Sequence, residues 1–327
     1  MAQQVRIGFV GAGGIATEAH LPALKQIEGV EIVALCDTRK EQADAAAQQF
    51  GGRAYADHRE MLDREEMDSL FVCVPPGAHT DAELIAAARG VHLFIEKPVV
   101  LTMDKGLEIA EAIKKANVIS CVGYQVRYFP VAEAARTFLA DKTIGMVVGN
   151  RWGGIPGGPE HWWRVMDQSG GMVHEMATHN VDLIRYLVGD VAAVYARYSR
   201  NVLKEVENLT VPDTQVIVME FKNGATGSFS ATCALTKGGG ASSTDIVLRD
   251  VMLRISFSEI KVMPEGAAEI TLPEPGMNIQ EAFIHAIRTG DRSVIRSDYF
   301  DALKTAEVTL GANESAATGK PVAMTLA

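Results

Sequence analysis

The chain has 327 residues, 47% of them hydrophobic and 22% charged, with a formal net charge of -10 at pH 7. This composition excludes a disordered chain, and the length exceeds what one hydrophobic core usually serves, so we expect two domains. The negative charge argues against nucleic acid or an anionic membrane as a partner, because both bind clustered lysine and arginine.

The cysteines and the first residues bear on the compartment. The four cysteines are widely spaced and include no C-x-x-C pair, so we expect buried thiols in a reducing compartment. The residues before the first predicted strand do not resemble a signal peptide, and no stretch approaches the roughly 20 apolar residues of a membrane span. A cytoplasmic protein is the expectation.

A glycine-rich turn follows the first predicted strand, Val5–Val10. The turn is Gly11-Ala12-Gly13-Gly14-Ile15-Ala16, and a helix is predicted after it as far as about residue 27. This is G-x-G-x-x-A between a strand and a helix: the first glycine would permit the turn, the second would let a pyrophosphate approach the backbone, and the alanine would keep the helix close. We expect these residues to bind a dinucleotide.

Asp37 ends the second predicted strand, residues 31–36. An acid here would accept hydrogen bonds from the adenosine ribose and repel a 2'-phosphate, which favours NAD. Capping of the next helix is an alternative role for Asp37, and the two roles can coexist. Arg39 keeps NADP possible, since its guanidinium could stack on adenine or hold a phosphate.

Helices and strands alternate through the first third of the chain. Helices are predicted at 38–49, 59–64, 79–89 and 103–116, and strands near 54–55, 69–74, 91–95 and 118–123. This alternation predicts βαβ units and a six-stranded parallel sheet. Pro75 and His79 would lie beside the nicotinamide half of the cofactor, although His79 could equally cap a helix or bond backbone.

Glu96 and Lys97 follow the apolar run of residues 91–95 and precede Pro98. A buried parallel strand would deliver both to its carboxyl end, where open α/β sheets bind their ligands. Lys97 is therefore the first catalytic candidate, and a solvated loop is the alternative.

From Gly145 onward the pattern changes to long strands with few helices between them. Strands are predicted at 146–153, 191–200, 214–221, 225–234, 245–248 and 252–257, and helices at 130–140, 277–289 and 298–318. This predicts an open, mainly antiparallel sheet with one covered face. The predicted fold is an α/β Rossmann domain over residues 1–124 and an α+β domain over 125–327, whose last helices could pack back on the first domain.

A second group of chemical residues lies between the first two strands of this domain. On one continuous helix, Glu175, His179, Asp182 and Tyr186 would form a stripe that presents acid and base groups to a cleft. A solvated polar face is the alternative. Zinc is rejected, because the second histidine of His174-Glu175 stands at i+5, about 140° round the helix.

Taken together, these residues resemble the glucose-fructose oxidoreductase, inositol dehydrogenase and rhizopine-catabolism (Gfo/Idh/MocA) family. The resemblance covers nearly the whole chain and rests on residues 11–16, Asp37, 75–79, 96–98, 124–128 and 170–182. It implies NAD or NADP as the cofactor and oxidation of a sugar or cyclitol hydroxyl, or reduction of the matching ketone. Glu175 and Ala177 depart from the family, which usually has Asp and Gly there.

The resemblance implies roles for individual residues. Lys97 and His179 would carry the chemistry, and Glu96 would lie near the nicotinamide ribose. Physically, His179 would be the general base, Lys97 would stabilise the developing alkoxide, and Glu175 would orient the imidazole or bind a substrate hydroxyl.

The substrate is expected to contact aromatic and basic side chains. Trp162 or Trp163 would stack on a sugar ring and Arg164 would donate to its oxygens, with Tyr124 and Arg127 nearby. Packing of the tryptophans beneath the sheet is the alternative. An NAD-dependent glycosidase and a dinucleotide-binding sensor remain alternative functions, and the resemblance implies a homo-oligomer, dimer or tetramer, formed through the second-domain sheet.

Overall fold

The computed structural model describes residues 3–326, and its internal contacts divide the chain into two units. The first unit contains the residues up to Val100 together with Asp104–Gly123 and Met277–Asp301. The second contains Leu101–Met103, Tyr124–Gly276 and the residues from Ala302 onward. The first unit is therefore discontinuous in sequence, because Met277–Asp301 returns to it.

The strands within residues 3–326 have the following bounds. They are β1 (Val5–Val10), β2 (Val30–Cys36), β3 (Arg53–Tyr55), β4 (Ser69–Val72), β5 (His92–Ile95), β6 (Ser120–Val122), β7 (Met146–Trp152), β8 (Val191–Ser199), β9 (Thr214–Phe221), β10 (Thr226–Thr232), β11 (Ala241–Val247), β12 (Met252–Ile255), β13 (Ile260–Met263) and β14 (Val322–Ala323).

The α-helices are named in the same way. They are α1 (Leu21–Leu24), α2 (Lys40–Phe50), α3 (His58–Arg64), α4 (Ala82–Ala88), α5 (Met103–Ala116), α6 (Pro130–Leu139), α7 (Met166–Ser169), α8 (Gly171–His174), α9 (Thr178–Val188), α10 (Ile279–Thr289) and α11 (Tyr299–Thr318). None of the helices in residues 3–326 is long and apolar enough to cross a membrane.

The sheet of the first unit is parallel, with strand order β3-β2-β1-β4-β5-β6. Its central strands β1, β4 and β5 are buried almost throughout, which explains why they appear in the sequence as continuous apolar runs. The strand order reverses between β1 and β4, and ligands of such sheets bind at the carboxyl ends beside this point. The predicted α/β Rossmann fold is confirmed.

The sheet of the second unit has the order β13-β12-β11-β7-β10-β9-β8-β14. Neighbouring strands are antiparallel except β7 and β10, which are parallel. Alternate residues such as Val147, Ile217 and Phe229 are buried in the core, whereas Val148 and Val218 on the other face are exposed. One face is thus covered and the other open, as the sequence predicts.

Two predicted helices of the first unit differ from the structure. The helix predicted from the glycine turn to residue 27 consists of a π-helical segment, Ile15–His20, followed by the short α1. Pro22, in the first turn of α1, cannot donate to the hydrogen-bond ladder. The helix predicted from His79 begins instead at Ala82, because Pro76–Ala78 forms a 3-10 turn and His79 is extended.

Candidate active site

In the glycine turn after β1, Gly11 and Gly13 differ in the space around their backbones. Gly11 has a φ of +93°, and a Cβ there would lie 2.2 Å from the carbonyl oxygen of Cys73, so the chain itself requires glycine. A Cβ at Gly13 would meet no protein atom within 4 Å. Ala16 is fully buried while the Ile15 side chain is 42% exposed. The open backbone at Gly13, at the start of a helical segment, fits a bound pyrophosphate.

Asp37 is held beside this turn by two backbone groups. Its Oδ2 accepts a hydrogen bond from the N–H of Ala12 at 3.0 Å, and its Oδ1 accepts one from the N–H of Arg39 at 2.9 Å. The N-cap of α2 is Arg39, so Asp37 does not cap that helix. The carboxylate is thereby fixed at the end of β2, where an acid binds the ribose of a dinucleotide. These residues fit NAD.

The His79 imidazole does not face solvent. Its side chain is 2% exposed, and Nδ1 is hydrogen-bonded to the fully buried carboxylate of Glu83. Pro75 lies four residues earlier, and the carbonyl oxygen of Pro75 accepts a hydrogen bond from the N–H of Ala78. The buried ring gives no support to the predicted contact between the His79 side chain and the cofactor.

Glu96 and Lys97 stand at the carboxyl end of β5, as predicted, but Glu96 points inward. Glu96 is 4% exposed. Its Oε1 lies 2.9 Å from Nε2 of His20, and its Oε2 accepts the N–H of Lys97 at 3.1 Å. Both oxygens have protein partners, so the predicted approach of Glu96 to the nicotinamide ribose is not supported. Lys97 is half-buried.

In the second unit, the helix predicted to carry Glu175 and His179 is broken. α8 ends at His174, α9 begins at Thr178, and Glu175 caps the end of α8. Gly170, with a φ of +72°, separates α8 from α7. The predicted i, i+4 relation between Glu175 and His179 on one helix is therefore wrong, and Glu175 is buried, with 8% exposure.

His179 lies in the first turn of α9 and is half-buried. Its ring stands perpendicular to that of Tyr124, with the ring centroids 5.9 Å apart. Tyr124 is fully buried, its hydroxyl is 3.0 Å from Thr178 Oγ1, and burial raises its pKa well above the usual value. Tyr124 thus packs edge-on against the imidazole, and its burial gives no support to its predicted contact with the substrate.

Arg127 is engaged within the core of the second unit. Its Nε and Nη2 donate to the two oxygens of Asp182 at 2.7 and 2.6 Å, and Thr305 donates to Asp182 Oδ1 at 2.9 Å. The side chains of Arg127 and Asp182 are 3% and 1% exposed. This burial gives no support to the predicted role of Arg127 in substrate binding, and Asp182 does not face a cleft.

The two adjacent tryptophans have different environments. Trp163 is 1% exposed and belongs to the hydrophobic core, so it cannot stack on a substrate. Trp162 is half-buried and stacks on His161, with the ring centroids 5.4 Å apart. Arg164 donates from Nη1 to the carbonyl oxygen of Glu207 at 3.2 Å. Trp162 remains the aromatic candidate.

Comparisons with known proteins identify the family. Residues 5–124 match the model of the GFO/IDH/MocA oxidoreductase family with an NAD-binding Rossmann fold, and residues 132–254 match the GFO/IDH/MocA C-terminal domain. Over 229 residues the chain is 31% identical to myo-inositol 2-dehydrogenase of Thermotoga maritima, which covers 68% of this chain and 67% of that protein. The chain belongs to the GFO/IDH/MocA oxidoreductase family.

Other relatives of this GFO/IDH/MocA protein span almost its whole length. D-xylose 1-dehydrogenase (NADP(+)) 2 of Haloferax volcanii is 25% identical over 334 residues, 96% of this chain and 98% of that protein. The crystal structure of the WlbA dehydrogenase from Bordetella pertussis, in complex with NADH and UDP-GlcNAcA, has a TM-score of 0.84 and 26% identity, and covers 99% of this chain and 100% of that one. The predicted enzyme class is confirmed: this is an NAD(P)-dependent dehydrogenase of a sugar and polyol dehydrogenase family, with an NAD-binding first unit.

This GFO/IDH/MocA enzyme also contains buried polar residues near these groups that no sequence motif indicates. His20 and Gln280 complete a buried polar chain with Glu96 in the first unit. In the second unit, Thr178 is hydrogen-bonded to Tyr124, and Thr305 donates to Asp182. Within residues 3–326, no three His, Cys, Asp or Glu side chains lie together as a metal site.

Proposed function

We propose that this enzyme oxidises a secondary hydroxyl of a sugar, cyclitol or related polyol, with NAD as hydride acceptor, and catalyses the reverse reduction of the ketone. The observation that carries the proposal is Lys97 at the carboxyl end of β5, on the same sheet edge as the open Gly13 turn and the fixed Asp37. An ammonium beside a nicotinamide site is suited to an oxygen that gains negative charge.

The cofactor would be held by the glycine turn of residues 11–16 and by Asp37. Gly14 and Ile15 would contribute backbone N–H groups and apolar contact, and Arg39, whose side chain is 65% exposed, would lie over the adenine end. When bound, the nicotinamide supplies the hydride acceptor. The chain's own groups then have to bind the substrate, remove its hydroxyl proton and stabilise the oxygen.

Lys97 is proposed to donate a hydrogen bond to the reacting oxygen. Two hydrogen bonds fix the backbone around Lys97. The Glu96 N–H donates to Val72 O at 2.8 Å, and the Lys97 N–H donates to the Glu96 carboxylate. A preorganised ammonium stabilises a developing alkoxide without reorganising during the reaction.

His179 is proposed to take the hydroxyl proton. The edge-on Tyr124 ring behind it, itself tied to Thr178 in the same helical turn, fixes the plane of the imidazole. Glu175, in the segment between α8 and α9, is proposed to support His179. Trp162 and Arg164 are proposed to contact the substrate ring and its oxygens.

The experiment that tests the function is a substrate panel scored by absorbance of reduced cofactor. It includes inositols, D-xylose and other aldoses, sugar acids, and nucleotide sugars, since the WlbA dehydrogenase complex contains UDP-GlcNAcA. We expect one class to give NADH in one-to-one ratio with a ketone or lactone product. Product formation without net NADH would favour the glycosidase alternative, and binding of NAD without turnover of any compound would oppose the proposal.

We also propose that the open face of the second-unit sheet joins copies of this chain into a homo-oligomer. On this face the neighbouring strands β8 and β9 carry the exposed apolar side chains Tyr195, Val216 and Val218, and β7, separated from β9 by β10, carries Met146, Val148 and Trp152. Contiguous exposed apolar residues are rare on monomers. Light scattering should give a multiple of 35.2 kDa, reduced in Val148→Glu but not in the control Leu107→Glu, which alters an exposed leucine of the first unit. A monomeric wild type would refute this proposal.

A further inference from the structure

A buried chain of polar side chains connects three distant parts of the sequence in the first unit. His20 ends the helical segment after the glycine turn, Glu96 follows β5, and Gln280 lies in α10. His20 Nε2 is 2.9 Å from Glu96 Oε1, and the Gln280 amide nitrogen is 3.0 Å from His20 Nδ1. All three residues are at least nine-tenths buried, with exposures of 3%, 4% and 8%.

The donors in this chain can be assigned for an ionised Glu96 and for the Gln280 amide nitrogen facing His20. An ionised Glu96 only accepts hydrogen bonds, so His20 Nε2 carries the proton that faces it. His20 Nδ1 then accepts from the Gln280 amide. The second carboxylate oxygen of Glu96 accepts the backbone N–H of Lys97 at 3.1 Å. The chain therefore runs from Gln280 through His20 and Glu96 to the backbone of Lys97.

The imidazole has little freedom to turn. Its ring meets those of Phe71 and Phe94 edge-on, with centroids 5.5 and 4.9 Å apart, and these two phenylalanines stack on each other at 4.5 Å. Phe283, on α10, closes the same cluster, with its ring edge-on to both. Edge-on contacts of this kind do not by themselves require a histidine, since any aromatic ring can make them.

The Glu96 carboxylate also has little room. A Cβ added at Gly123 would lie 2.1 Å from Glu96 Oε1, so the backbone after β6 directly adjoins the carboxylate. With Gly123 on one side and His20 on the other, the carboxylate adopts one orientation. In that orientation its Oε2 accepts the Lys97 N–H.

We propose that His20 is a positioning residue, which holds Lys97 in its working orientation through Glu96, with Gln280 fixing the imidazole. The functional part of this inference rests on the role of Lys97 under the proposed function. A fully hydrogen-bonded buried chain fixes the orientation of its members, which an apolar cluster does less strictly. Orientation matters for catalysis, because a displacement of a reacting group by about 1 Å can cost roughly 100-fold in rate.

The test compares variants of the whole chain that separate hydrogen bonding from packing. His20→Phe keeps a ring in the aromatic cluster and removes the donor to Glu96, whereas His20→Gln keeps an N–H donor. Phe283→Leu is the matched control, because it loosens the same cluster and leaves all three hydrogen-bonding side chains. The readouts are NADH affinity by fluorescence, amide hydrogen exchange at Lys97 by mass spectrometry, and kcat with the substrate found in the panel.

We expect His20→Phe to accelerate amide exchange at Lys97 and to lower kcat roughly 10- to 100-fold, with NADH affinity changed only a few-fold. His20→Gln should recover most of both, and Phe283→Leu should lose stability without either change. Equal exchange and kcat in His20→Phe and Phe283→Leu would overturn the inference. If His20→Phe does not fold, Gln280→Met compared with Phe283→Leu decides the question on the same readouts.

Failure of the inference and failure of the proposed function give different results. Wild-type kcat in Lys97→Met would refute the role of Lys97, while exchange at Lys97 would still show whether His20 holds it. Low kcat in Lys97→Met, combined with unchanged kcat and exchange in His20→Phe, would refute the inference alone.

Discussion

Arg127→Met is expected to destabilise the second unit while leaving substrate affinity unchanged. The substitution keeps most of the apolar length but leaves Asp182, 1% exposed, with only the Thr305 hydroxyl among the partners described above. Removing one partner of a buried ion pair typically costs about 3 to 5 kcal/mol, because an uncompensated charge remains in the interior. We expect a loss of that size.

Arg136→Met is the matched control. The Arg127 and Arg136 guanidiniums both lie over the ring of Tyr186, at 4.8 and 4.4 Å from its centroid, but Arg136 is exposed. A solvent-exposed cation over a ring contributes about 0.5 to 1 kcal/mol. The difference between the two variants therefore isolates the buried pair with Asp182.

Urea unfolding followed by tryptophan fluorescence gives the required free energies. All three tryptophans of the chain lie within Tyr124–Gly276, so the signal reports the second unit. Equal stability of the two variants, or a raised KM in Arg127→Met without loss of stability, would contradict the structural role and restore Arg127 as a substrate ligand.

The remaining predictions concern the cofactor, the two proposed catalytic residues and one buried acid. Asp37→Ser should raise kcat/KM with NADP relative to NAD; an unchanged ratio would remove Asp37 from cofactor selection. Lys97→Met should abolish most turnover with NADH affinity within a few-fold, whereas collapse of NADH binding in a fluorescence titration would make Lys97 a cofactor ligand. His179→Ala should lower the oxidation rate by about 10² to 10⁴ and remove the rise of rate with pH; a retained pH profile would exclude it as the base. Burial opposes ionisation of Asp213, but hydrogen bonds from backbone N–H groups outweigh it and lower its pKa. Asp213→Asn should therefore lose stability above about pH 4, and the difference from wild type should shrink as the pH falls through the lowered pKa; a constant difference would contradict this.

Features that depend on neighbouring residues could be predicted from the sequence. The central strands of a parallel sheet are buried on both faces, so β1, β4 and β5 appear as apolar runs, and the glycine turn after β1 follows from local geometry. The bounds of α5 and β9 agree with the prediction. Lys97 at the end of β5 follows from the same reasoning.

Features that depend on distant partners could not be predicted. The charge of Arg127 suggests an exposed ligand, but its partner Asp182 is 55 residues away in sequence. His20 and Gln280 are 260 residues apart, and no motif joins them. The edge strands β13 and β14 are short, and half-exposed or exposed residues give them no apolar run.

Periodicity conceals the helix break before His179. Apolar and polar residues recur at helical spacing from Gly171 to Val188, yet the backbone leaves the helix between His174 and Thr178. A periodic pattern records which side chains are buried, and two short helices in nearly the same direction can bury the same side chains as one long helix.

The return of Met277–Asp301 to the first unit has a consequence for biosynthesis. The amino end of a chain emerges from the ribosome first, and a domain folds as a unit once its last element has emerged. Residues up to Gly123 emerge without α10, so Phe71 and Phe94 still lack Phe283, and His20 lacks Gln280. The first unit therefore begins the nascent chain but is completed only after Tyr124–Gly276 has been synthesised. A fragment ending near residue 124 would expose this aromatic cluster, so material for expression should include Met277–Asp301.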